Sequence, residues 1–354
     1  MKEFDKPIPQ ELLNIVDKKR KNLFTWRGQF SPQLIETFLK FYCLPDSIVL
    51  DPFAGSGTVL FESGNLSLVA YGFEINPAAL LMSKTYEFIN KSNKKDIIDR
   101  FREKLEREFP VKILIGYGQT IENLEAKIWK IGSELDRETK ILFEALIILL
   151  DLGKNQITSD FIQKKLFCLV KIIEGLSFSQ KAIKVDFSDA RQLPIHNDIV
   201  DFVITSPPYI NVFNYHQNYR KSVEILGWDV LKIAKSEIGS NRANRGNRFY
   251  TVVQYCLDMA DVLQELSRVS KKFARIVLIV GYESKVLGVP FNNADIRQEY
   301  KTPEARHIHR SVYEEFLDSS KYYADVFQRM IDKIQTIIDD SSPSIDRVLD
   351  RGHF

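Results

Sequence analysis

Ser47-Ile48-Val49-Leu50-Asp51-Pro52-Phe53-Ala54-Gly55-Ser56-Gly57-Thr58 is the stretch on which the fold turns. A short apolar, partly β-branched run ends in an acid, and two glycines follow with one residue between them. Such a run, bounded by turn residues, reads as a buried strand. Glycines directly after it let the backbone turn tightly and approach a ligand with no Cβ in the way. Val59 to Ser63 then reads as a helix, Leu68 to Phe73 as a second strand, and Glu74-Ile75-Asn76-Pro77 closes the unit. Strand, glycine loop, helix, strand and acid together open a parallel α/β sheet with a nucleotide-type site. Taken alone, the G-x-G loop is equally compatible with an ordinary turn. No Gly-Lys-Ser/Thr closes it, so a nucleoside triphosphate loop is not supported.

Three further features lie on the same pattern. Glu74 comes 74 minus 55, or 19, residues after Gly55, at the end of the second strand, where a carboxylate can accept both hydroxyls of a ribose; the alternative is a solvated surface Glu. Asp189 follows the strand-like Lys184-Val185-Asp186-Phe187 and is read either as a ligand contact at the carboxyl edge of the sheet or as a helix N-cap. The strand Asp198 to Thr205 runs into Ser206-Pro207-Pro208-Tyr209. Two prolines there fix an extended turn, remove two N–H donors and aim carbonyls and the Tyr209 ring at the sheet edge.

Around this frame, Pro32 opens a helix through Phe41, and 3.6-periodic, charged segments fill Lys94 to Phe109, Ile121 to Leu150 and Thr158 to Ile173. A helix from about Tyr250 to Val269 precedes a strand at Ala274 to Val280, and Glu304 to Asp340 reads as an amphipathic helix. With 44% hydrophobic and 27% charged residues the chain of 354 residues is a folded protein, which excludes disordered and collagen-like classes. Its net charge of +2 is too small to attract a polyanion by itself, so any such partner needs a local basic patch. Arg242, Arg245 and Arg248, spaced by three among Gly and Asn, are candidates for phosphates or guanine edges, against a plain solvated loop. Cys43, Cys168 and Cys256 are scattered, and no other His or Cys stands at ligand spacing from His216, so no disulfide framework and no metal are expected. No apolar run suits a signal peptide or a membrane span, and the chain is expected to be soluble and cytoplasmic.

The set Asp51 to Thr58, Glu74, Asp189 and Thr205 to Tyr209 resembles the S-adenosylmethionine-dependent amino-methyltransferases of DNA, and the serine before Pro-Pro-Tyr is most similar to the N4-cytosine branch. Many N4-cytosine enzymes place that half before the glycine loop, whereas here the loop comes first. The resemblance covers about 28–79 and 185–281. It implies an α/β, Rossmann-like methyltransferase sheet in two pieces, 1–90 and 185–285, with a helical insertion at 91–184 and a helical C-terminal region at 286–354 that is a candidate for reading DNA. It implies S-adenosylmethionine as cofactor: Asp51, Phe53, Gly55, Gly57 and Thr58 at the methionine part, Glu74 at the ribose and Asp189 at the adenine amine. The upstream Gly28-Gln-Phe-Ser-Pro32 places Phe30 and Ser31 near the methionine tail.

An exocyclic base amine is a poor nucleophile because its lone pair is conjugated into the ring, so a site must accept its hydrogens as the nitrogen pyramidalises. Ser206 and the Pro207 carbonyl are the expected acceptors, with Pro208 shaping the turn and Tyr209 stacking on an extruded base. None of the three cysteines follows a proline, which disfavours a covalent C5-cytosine route. The expected activity is methylation of cytosine N4 in double-stranded DNA, alongside a cognate restriction endonuclease. The alternatives are N6 of adenine, an RNA amine, and a catalytically silent DNA-binding subunit.

Overall fold

The computed structural model describes residues 7–15, 22–26, 28–110, 121–208, 215–238 and 248–280, and the strands 284–286, 289–291 and 312–316; for 248–253, 256 and those last three strands this extends to the backbone only. In chain order the elements are α1 (Gln10–Leu13), α2 (Pro32–Tyr42), β1 (Ile48–Asp51), α3 (Thr58–Asn65), β2 (Val69–Glu74), α4 (Pro77–Ser83), a 3-10 turn (Lys84–Asn90), α5 (Lys94–Glu108), α6 (Leu124–Glu134), α7 (Arg137–Leu150) and α8 (Ser159–Glu174). Then come β3 (Ile183–Phe187), β4 (Val200–Thr205), a 3-10 turn (Tyr215–Gln217), α9 (Arg220–Ile225), α10 (Val230–Ile233), α11 (Arg248–Val269), β5 (Ser270–Ile279), β6 (Ser284–Val286), β7 (Val289–Phe291) and β8 (Val312–Phe316).

One sheet organises the chain, in the order β3-β2-β1-β4-β5-β8. The first five strands are parallel and β8 is antiparallel to β5. Side chains alternate across it, as the period of two demands. Val49, Phe202 and Ile204 point to the face covered by α2 and α3, with Ile35, Phe38, Leu39 and Leu60. Leu50, Val203 and Ile276 point to the other, under Val262, Leu263 and Leu266 of α11. Both faces are dry, which is why β1 and β4 read as continuous apolar runs.

The helical insertion is present as α5 to α8, and it builds no separate core. Phe101, Leu105, Leu142, Leu146, Leu166 and Leu169 belong to the same apolar cluster as α2 and α3. The periodic stretch from Ile121 to Leu150 is two helices: Asp136 breaks it and caps α7 by accepting the Thr139 N–H at 2.8 Å. A larger departure lies near the C-terminus. Where periodicity suggests a helix over 304–340, residues 312–316 form strand β8, and the rest of that stretch is outside the described residues. Pairing Arg275–Ile279 with Val312–Phe316 satisfies backbone groups on the flank of β5 that would otherwise be an open sheet edge.

Phe202, 1% exposed, packs its ring 6.1 Å from Tyr42 of α2 and joins sheet to helix. Phe202→Ala is expected to cost about 3–5 kcal/mol, read as a lower urea midpoint with an unchanged m-value.

Candidate active site

Sheet order reverses between β2 and β4 on either side of β1, and the carboxyl ends of these strands frame a crevice, the place where open α/β sheets bind ligands. Asp51 ends β1 and is 1% exposed. Its Oδ1 accepts the Phe53 N–H at 3.1 Å and the Thr205 hydroxyl, from the end of β4, at 2.6 Å. The loop then turns through Gly55 (φ 53°) and Gly57 (φ 90°), both left-handed. A Cβ on Gly57 would stand 2.6 Å from the Tyr86 ring, so conformation and space both demand glycine.

Glu74, at the end of β2, grips this loop. Its Oε2 accepts the Gly55 N–H and its Oε1 the Asn76 N–H, each at 2.7 Å. Asn76 caps α4 by accepting the Ala78 N–H at 3.0 Å, and Pro77 follows at the first helical position. Burial is the main force on both acids. It pushes Asp51 up to about 7 against the hydrogen bonds from Thr205 and Phe53, and Glu74 up to about 7 against those from Asn76 and Gly55.

The N-terminal segment covers the glycine loop. The Thr58 hydroxyl donates to Asn22 Oδ1 at 2.9 Å, Asn22 Nδ2 donates to the Phe30 carbonyl at 2.8 Å, and Gln29 Nε2 donates to Ser56 Oγ. Trp26 lies parallel to Tyr215 and Tyr219, each centroid 6.2 Å away. Ser31 Oγ is buried with no hydrogen-bond partner among the described residues.

These pieces enclose one cleft of about 1050 Å³, open solvent included. Trp26, Phe30, Phe53, Gly55, Thr58 and Glu74 line it from the glycine-loop side; Ser206, Pro208 and Tyr215 line it from the β4 side; Asp189 and Glu237 also line it. The two motif segments, remote in sequence, therefore share one space. Pro207 is buried beside its neighbours. Tyr209, Arg242 and Arg245 lie outside the described residues, as does the side chain of Arg248, the first residue of α11.

Asp189 lines the cleft but caps no helix. Its Oδ1 accepts from the backbone N–H and Nε of Arg191, each at 3.0 Å, and its Oδ2 from Nη2 at 2.5 Å. Arg191 also reaches Asp258 of α11 at 2.5 Å. The paired acids hold its guanidinium above its ordinary value, Asp189 most of all. Arg191, Trp26, Gln29, Asn22 and Glu237 escaped the sequence reading, because each acquires its place only through a partner distant in the chain. Asn76-Pro77 carried a readable helix-start signal. His216 is buried in the 3-10 turn after the Pro-Pro segment.

Residues 6–85 match the N6/N4 family model described as DNA methylase, and residues 245–354 match one described as Bpu10I restriction endonuclease. The chain is similar to the type II methyltransferase M.MjaII of Methanocaldococcus jannaschii, 21% identical over 86% of this chain and 78% of that protein. M.BsoBI of Geobacillus stearothermophilus is 23% identical, over 63% of this chain and 56% of its own length, and M.AvaI of Nostoc 22%, over 74% and 67%. Among solved structures, an S-adenosylmethionine-dependent methyltransferase from Methanosarcina mazei (13% identical, 69% of this chain and 57% of that one) aligns with a TM-score of 0.28. The rRNA methyltransferase aviRa from Streptomyces viridochromogenes (14%, 86% and 91%) aligns with a TM-score of 0.33. The described start of the nuclease-type match, α11 and β5, is a helix and a strand of the sheet that carries the glycine loop, with Val203 of β4 in parallel register with Ile276.

Because Asp51 and Glu74 titrate above their ordinary values of 3.8 and 4.5, the native state holds more protons than the unfolded chain between about pH 4 and 7. Stability is therefore expected to fall as pH rises through that window, by up to about 1.4 kcal/mol per pH unit for each group. Asp51→Asn keeps an acceptor for Thr205 and removes one group's share. Urea unfolding from pH 4.5 to 8 checks this, and a variant slope equal to the parent's would refute the assignment.

Proposed function

We propose that this chain, whose residues 6–85 match the N6/N4 DNA methylases, is a type II DNA methyltransferase that moves a methyl group from S-adenosylmethionine to an exocyclic base amine, namely N4 of cytosine in double-stranded DNA. The shared cleft carries this reading: a glycine loop held by Glu74 and a Ser-Pro-Pro turn open into the same space. The matched relatives, all type II methyltransferases by name, support it. The nuclease-type match of 245–354 supports a restriction-modification setting with a cognate endonuclease, and the reading places the enzyme in the cytoplasm. N6 of adenine is the second reading, favoured by a family model that spans both amines.

The residues fit the cofactor. Each Glu74 oxygen accepts one backbone amide and keeps a lone pair for a ribose hydroxyl. Asp189 lines the same cleft and takes the adenine amine while Arg191 holds its orientation. Phe30, Phe53, Gly55 and Thr58 line the cleft where the methionine part would lie, with Ser31, Asp51 and Gly57 next to them in the chain, and the Ser31 hydroxyl, without a hydrogen-bond partner among the described residues, is a polar group suited to that end. When bound, S-adenosylmethionine supplies a methyl on a cationic sulfonium, which a cleft lined by acids favours.

The rest falls to the chain. The Ser206 hydroxyl and the Pro207 carbonyl accept the hydrogens of the target amine, so positive charge that develops on nitrogen as its bond to the methyl forms is met by fixed acceptors, the surplus proton passes to water once the methyl is in place, and no strong base is needed. Tyr209 stacks on the extruded base and holds it in line. Arg242, Arg245 and Arg248 contact phosphates or guanine edges.

Labelled-methyl transfer to mixed DNA, followed by base analysis, tests the reaction and separates the two amines. Ser206→Ala is expected to lower transfer by at least about 100-fold with cofactor affinity retained; unchanged turnover would sink the role of the turn. Replacing Arg242, Arg245 and Arg248 together by Ala should weaken duplex binding and flatten its salt dependence, with a slope lowered by about 0.9 for each phosphate no longer neutralised. Equal binding at moderate salt would dismiss the loop.

A further inference from the structure

Glu237 belongs to neither motif segment. It follows α10, its side chain is 10% exposed, and it lines the cleft. Its two oxygens serve two different halves of the site. Oε1 accepts from Asn76 Nδ2 at 3.2 Å, and Oε2 pairs with His216 Nδ1 at 3.1 Å. Asn76 donates its own backbone N–H to Glu74, and Glu74 holds the Gly55 N–H. His216, 4% exposed, sits in the 3-10 turn Tyr215–Gln217, whose first residue lines the cleft beside Ser206 and Pro208. An unbroken path of polar contacts thus runs from the acceptor side to the glycine loop: His216, Glu237, Asn76, Glu74, Gly55.

A nearly dry carboxylate is costly unless its oxygens are met. At Glu237 one partner comes from each half, so displacing either half exposes that cost. Ordering one half lowers the free energy of ordering the other, and any such effect is reciprocal. We propose that Glu237, with His216, is a positioning residue that couples the two halves of the cleft, so that cofactor binding and DNA binding strengthen each other. The proposal rests on the methyltransferase reading above.

Duplex affinity measured with and without S-adenosylhomocysteine, an unreactive probe, tests it on the full chain, using DNA of the sequence the parent methylates. The probe is expected to tighten duplex binding by the parent about 5-fold or more. Glu237→Ala should abolish the enhancement. Glu237→Gln should keep most of it, because its amide can still accept from Asn76 and donate to the His216 ring. His216→Ala cuts the path at its other end, should lose the enhancement too, and serves if Glu237→Ala does not fold. A merely structural role would lower thermal stability and leave the enhancement factor unchanged. An enhancement equal to the parent's in Glu237→Ala or His216→Ala, or none in the parent, overturns the coupling. A parent that binds neither duplex nor probe overturns the functional reading itself.

Discussion

The hydrogen bond from the Thr205 hydroxyl to Asp51 Oδ1, buried and 2.6 Å long, ties together the ends of two adjacent parallel strands, and the rest of the site hangs from that junction. It exists because β1 and β4 are paired in register, Val49 beside Phe202 and Leu50 beside Val203. Past it, one chain turns into the glycine loop and the other into the Ser-Pro-Pro turn. Both therefore leave the sheet on the same edge and at nearly the same height, and residues of both line one cleft.

The junction has an electrostatic cost. Asp51 and Glu74 are both withdrawn from water with no cation among the main influences on either, so burial outweighs the hydrogen bonds they accept. Asp189 is treated differently: Arg191 neutralises it and anchors it to α11 through Asp258. The cleft thus presents one acid that a cationic ligand would help ionise, Glu74, and one already held as an ion pair, Asp189. Such division of labour fits a ligand with a charged end and a polar, neutral end.

Surrounding elements serve this frame. Asn22 and Gln29 are tied to the loop, Asn22 accepting from the Thr58 hydroxyl and Gln29 donating to Ser56, and α5 to α8 extend the core on the face of α2 and α3. The strand Val312–Phe316, within the stretch that matches a nuclease family, adds to the same sheet as β5, and α11 packs on that sheet, while β6 and β7 pair with each other.

How much was legible in the sequence follows from the range of each interaction. Residues 47 to 77 specified strand, loop, helix, strand and acid by themselves, because left-handed glycines, apolar strand runs and an Asn-Pro helix start act within a few residues of their own position. The same locality made Ser206-Pro207-Pro208 readable as a rigid turn. Nothing local could disclose that Thr205 would meet Asp51 across 154 positions, that Asp189 would be occupied by Arg191 and fastened to Asp258, or that Glu237 would bridge Asn76 and His216. Nor could periodicity foresee that 312–316 would pair with β5 instead of coiling. The sequence by itself determined which backbone conformations were available at the strand ends. Only the tertiary structure decided which side chains met there and in what state of charge, since burial and distant partners, unlike local dihedral preference, exist only once the sheet has closed.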